Sequence, residues 1–228
     1  MSSAFKHLIA VLGLLLTAHA ASAQDMSRYR AYALASSLES IVASSGARGD
    51  AARTIHSRPA KIQELEWRAP YVSSSAVLVD PVRAIAFSFV DDELFQIVVS
   101  YDRERTEGLT NSDIIEMLST SYGAPVPKSA KAPTVRLAAA PVDTVVVAQW
   151  ESPVEMLTLV RGAYSPEFRL ILVSKTLGAR AHTAAREAAR LDAAEGPRRE
   201  ADERKKLQAE EAATREKTRT TNKEAFRP

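Results

Sequence analysis

The 228-residue chain contains no cysteine. Disulfides, thiolate metal sites, cysteine nucleophiles and a lipid anchor on cysteine are therefore excluded. Glycine is sparse, with 8 residues, and no G-x-G-x-x-G or Walker loop occurs. Of 4 histidines, only His56 and His182 lie beyond residue 23. No H-E-x-x-H pattern or EF-hand loop is present, so neither a metal nor a cofactor is expected. Beyond residue 23 there is also no G-x-S-x-G or Ser-x-x-Lys sequence to carry a serine nucleophile. Charge of one sign is missing too. Residues 24–178 hold 16 Lys/Arg against 18 Asp/Glu, and residues 179–228 hold 13 against 10. Neither balance makes the one-sided positive field that nucleic acid requires.

Long apolar runs are confined to one place, Leu8 to Ala18. Lys6 and His7 precede this run, and Ala21-Ser22-Ala23 follows it. That order predicts a secretory signal peptide over residues 1–23, cleaved after Ala23. The run is shorter than the ~20 residues that a membrane-spanning helix needs, and no stop-transfer segment follows. The Ala-rich leader points to a periplasmic protein with no transmembrane segment in the mature chain.

From Tyr29 to Leu177 the residues read as two copies of one pattern, α-β-β-β, in an α+β fold with antiparallel sheets. The first unit covers residues 24–105 and the second 106–178. Leu34, Leu38, Ile41 and Val42 recur at helical spacing, with Ser36 or Ser37 as cap and Gly46 as stop. In the second copy Ile114, Ile115 and Leu118 form the stripe and Gly123 the stop. Each helix precedes a strand ending in Trp-x-x-Pro: Leu65 to Pro70, and Ala148 to Pro153. Arg83 to Val90, a turn at Asp91-Asp92, and Glu93 to Tyr101 complete the first unit. Met156 to Arg161, a bend near Ser165-Pro166, and Phe168 to Lys175 complete the second. Phe95 to Val99 aligns without gaps on Phe168 to Leu172. Gly49 to Ala60 has room for a second short helix ending at Arg58-Pro59. Ser73 to Ser75 reads as a loop, and Pro125 to Pro141 as a mobile insertion.

A helix ending in glycine, followed by a three-stranded antiparallel sheet that bears a tryptophan, resembles the unit of the BamE/SmpA-type outer-membrane assembly proteins. The tandem form is similar to the beta-lactamase inhibitor proteins. Gly108-Leu109-Thr110, Gly123-Ala124-Pro125 and Trp150 carry the likeness. The chain departs from both families, having neither a lipidated cysteine nor a disulfide. The resemblance implies an exported binding module whose sheet face or loops contact another envelope protein.

After Ala179 the composition shifts to Ala, Arg, Glu, Lys and Gln, which are strong helix formers. A charged helical tail is predicted over residues 179–228, broken at Gly196-Pro197. Ala181, Ala185, Ala188 and Leu191 form a weak docking stripe. Leu207 is then the only large apolar residue before Phe226, so coiled-coil heptads lack their a and d positions. The tail therefore reads as a solvated helix, or as an arm for a protein or an anionic surface.

Candidate binding residues are Trp67, Tyr71, Trp150 and Arg58, because aromatics and arginine dominate contact energies. No catalytic residue is assigned. Glu64 and Glu66 share one strand face at ~6.5–7 Å, a spacing that suits glycoside hydrolysis and equally suits an ordinary charged strand face. The expectation is a non-enzymatic periplasmic interaction module. The alternatives are an envelope-polymer hydrolase using Glu64 and Glu66, and a structural protein tethered by its tail.

Overall fold

A computed structural model describes residues 25–70, 80–127, 144–163, 167–225 and 227. The expected leader with Ala23, Tyr71, the expected Ser73–Ser75 loop, most of the expected Pro125–Pro141 insertion, the expected Ser165-Pro166 bend and Phe226 lie outside the described residues.

The fold is α+β, as the alternating strand patterns predict. A hairpin of β1 (Arg28–Tyr29) and β2 (Tyr32–Ala33) opens it, followed by α1 (Leu38–Ser45). Ser37 caps α1 by accepting from the Ser40 amide, and Gly46 closes it at φ 68. That left-handed turn suits glycine, which carries no Cβ to clash. Next come β3 (Arg53–His56), β4 (Ile62–Arg68), β5 (Val82–Val90) and β6 (Glu93–Tyr101). The expected second helix between Gly49 and Ala60 does not form. A single 3-10 turn, Gly49–Ala51, leads instead into β3, whose Arg53 and Thr54 pair with Glu64 and Gln63 of β4. The β-branched pair Thr54-Ile55 favours the extended edge position.

The second helix, α2 (Asn111–Tyr122), begins with a complete capping box between Thr110 and Asp113. It leads to β7 (Thr144–Glu151), β8 (Glu155–Gly162) and β9 (Phe168–Ser174). All strands except the first hairpin join one seven-stranded sheet, ordered β3-β4-β5-β6-β9-β8-β7. The last strand of each half thus pairs with the other, and Val98 faces Ile171 at the centre.

The register lines up two apolar rows on one face. One runs Trp67, Ile85, Val99, Leu170, Leu159, Ala148. The next runs Leu65, Phe87, Ile97, Leu172, Leu157, Trp150. Both rows belong to the main core, which Ile41 of α1 and Ile114 of α2 cover. Each fully buried Leu, Ile or Phe contributes about 1.5–3 kcal/mol, so these rows dominate stability.

The opposite face carries a smaller cluster of Val98, Val160 and Ile171. The long helix α3 (Lys175–Ala225) packs across β5, β6 and β9. Ala181, Ala184 and Ala188 are its buried residues. A Cβ on Gly178 would stand 3.0 Å from Val173 Cγ1, so the helix starts in close contact with β9. The predicted break at Gly196-Pro197 is absent, because Pro197 sits inside one continuous helix. Proline leaves one carbonyl without its helical donor. Here residues on both sides are strong helix formers, and Arg199 reaches back across the step to Asp192 at 3.0 Å and Glu195 at 3.3 Å.

Trp150 is 1% exposed, and its indole Nε1 donates to the Gly123 carbonyl at 2.7 Å. This bond ties the end of α2 to β7. Trp150→Phe should keep most of the packing and leave that carbonyl unmet, costing about 1–3 kcal/mol. The urea midpoint should fall at unchanged m-value. A midpoint equal to the parent's would show that the bond contributes nothing.

Candidate functional site

A cleft of about 910 Å3 opens between the β1–β2 hairpin, the end of β6, the loop 102–110 and α2. Its position follows from local rules. The hairpin is tied to the sheet by Ala35 N donating to Leu94 O at 2.8 Å and Leu94 N donating to Ser36 O at 2.9 Å. Asp102 organises the following loop, accepting from the Glu104 and Arg105 amides at 2.9 and 3.1 Å. Thr110 then caps α2 and aims Ile114, Met117, Leu118 and Ser121 at the opening.

The floor is apolar, with Leu109, Ile114 and Leu118. Met117 is 51% exposed on its rim. Tyr29, Tyr101 and Tyr122 form the inner wall, and the Tyr29 and Tyr101 hydroxyls share a hydrogen bond. Tyr122 donates to the Arg28 carbonyl at 3.2 Å. Arg30 stacks 5.3 Å from the centre of the Tyr29 ring and forks onto Asp80, with Nη2 2.8 Å from Oδ1. Its backbone lies at φ 54, an uncommon region for a residue with a Cβ. Arg28 pairs with Asp25 at 3.0 Å. Arg105 lines the cleft without an ion pair among the described residues.

Burial pushes the Tyr101 hydroxyl far above the ordinary tyrosine range, and Tyr29 and Tyr122 add to the effect. Burial, with Tyr29 beside it, pushes Tyr122 up to about 12. Tyr29 also moves upward through burial, while Arg30 opposes the change. The Arg30 hydrogen bond holds Asp80 below the usual carboxylate range. The wall therefore presents neutral hydroxyls at physiological pH, which donate and accept hydrogen bonds without exchanging protons.

The residues singled out from the sequence do not meet here. Trp150 is a core residue. Trp67 is half-buried against the core beneath the helices. Arg58 forks onto Glu195 of α3 and serves as a clamp for the tail. Tyr71 lies outside the described residues. Glu64 and Glu66 lie on the sheet face opposite Leu65 and Trp67, paired with Arg53 and Arg68 at 3.0 Å each. Among the described residues no group of three or more His, Asp or Glu could hold a metal, and no helix is long and apolar enough to cross a membrane. The missed residues left one trace in the sequence, the run Tyr29-Arg30-Ala31-Tyr32.

Comparison with known proteins finds no matching family, no matching curated protein and no matching solved structure.

Because the folded-state value of Tyr122 lies above its ordinary 10.0, the neutral phenol stabilises the fold fully below pH 10. That contribution is lost as pH rises from 10 through about 12. Denaturation midpoints measured across this range should fall for the parent chain and fall less for Tyr122→Phe. Identical slopes for the two would remove Tyr122 from the account.

Proposed function

We propose that this is an exported, non-enzymatic interaction module that holds another envelope protein in the tyrosine-walled cleft. The observation that carries the reading is the cleft itself. It combines an apolar floor, an exposed methionine on the rim, three tyrosines and flanking arginines. Tyrosine and arginine are enriched where binding energy concentrates, and methionine adapts to irregular surfaces. The upward shifts of the tyrosines move them away from acid–base work at neutral pH. The likeness to BamE/SmpA-type proteins and beta-lactamase inhibitor proteins supports the same reading. The hydrolase alternative is weaker, since Glu64 and Glu66 each already face an arginine.

We also infer that the two halves of the sheet descend from one duplicated unit. The gapless match of Phe95–Val99 with Phe168–Leu172 supports this, as do the two core rows, which read alike in opposite directions from the Val98–Ile171 pair. Exchanging equivalent residues at constant volume, as in Ile97→Leu with Leu170→Ile, should then cost less than about 1.5 kcal/mol. Loss of cooperative unfolding would count against it.

The test of function uses the chain exported from its natural leader. Its N-terminus should be Gln24. Immobilised on a support, it should retain a partner from envelope extract, and Met117→Glu should reduce that capture at least tenfold by placing a charge on the rim. Retention of the same partner at equal strength by both forms would move the binding surface elsewhere.

A further inference from the structure

The tail divides at Glu195. Up to that residue α3 is held to the body. Lys175 Nζ donates to Glu151 and to the Ser152 carbonyl, each at 2.6 Å. Arg180 donates to the Val90 carbonyl at 3.0 Å and to Glu93 at 2.7 Å. Arg58 closes the series on Glu195. Beyond it every residue from Pro197 to Ala225 is exposed and helical.

We propose that residues 197–225 work as a free-standing helical spacer, which carries Ala225 ~43 Å beyond the body at about 1.5 Å per residue. Three physical features support it. The docked half supplies the nucleus, so the exposed half extends an existing helix and avoids the unfavourable first turn. Charged pairs at helical spacing lace the exposed half, with Arg215 on Glu211 at 3.5 Å and Arg219 on Glu216 at 2.6 Å. Finally, there is no apolar stripe to drive it onto the body or onto a second copy. Leu207 is its one large apolar residue, and it is 61% exposed. A helix that is polar all round and rich in i,i+3 and i,i+4 pairs fits the role of a solvent-bridging element.

The absence of cysteine allows clean labelling of the whole chain. Cysteines replacing Ala201, Ala212 and Lys223 stand on one helix face, because 11 residues make about three turns. Spin labels at 201 and 212 should lie ~16 Å apart, and at 201 and 223 ~33 Å, a twofold increase. A flexible chain would give an increase of about 1.4-fold, since its span grows with the square root of length. That ratio would overturn the proposal. Chains carrying a single label should show no label–label coupling. Coupling there would mean that the tail pairs with a second copy, which also overturns a free-standing spacer. In a Glu211→Lys, Glu216→Lys variant the 212–223 distribution should broaden while the 201–212 distribution keeps its width. Unchanged width in both would overturn the role given to the ion pairs.

Discussion

The pairing of β6 with β9 is the contact on which the rest of the structure depends. A sheet of three or four strands with one helix is small for an independent core. Joining two such sheets edge to edge removes two exposed edges, which would otherwise offer unpaired backbone groups to other chains. It also makes the apolar rows continuous from Trp67 to Ala148 and from Leu65 to Trp150. With no disulfide available, this shared core is the main source of stability.

The same pairing places the cleft and the tail. α1 and α2 cover one face of the joined sheet, and the space between α2, the end of β6 and the N-terminal hairpin becomes the cleft. On the other face, β9 ends beside β6, so α3 emerges directly over that strand and can dock across β5 and β6. The cleft and the docked part of α3 therefore lie on opposite sides of one sheet. A partner held in the cleft and a contact made at the tail end would not compete for space.

Much of the fold was legible because its signals are local. Ser37 and Gly46 bound α1, Thr110 and Asp113 cap α2, and the β6 hairpin end is marked by Asp91-Asp92, both at positive φ. Periodicity of two identified the long strands. Two local readings were overridden. The segment Gly49–Ala60 lacks a strong pattern of its own, and the edge of β4 drew Arg53–His56 into pairing. At Gly196-Pro197 the breaker signal is real, but flanking helix formers and the reach of Arg199 kept the helix continuous.

The candidate site was far less legible. Tyr29, Tyr101, Met117 and Tyr122 are spread over more than ninety residues, and no spacing rule links them. The tryptophans drew attention as scarce, large aromatics, yet Trp150 was taken up by the core. The sequence by itself determined the two capped helices and the long strands, the absence of thiol chemistry and the charged character of the tail, since these depend on neighbours within a few residues. Only the tertiary structure decided which aromatics are buried, which arginine clamps the tail and where the cleft opens. Those outcomes turn on the β6–β9 register, a contact between residues some seventy positions apart, and no local pattern encodes it.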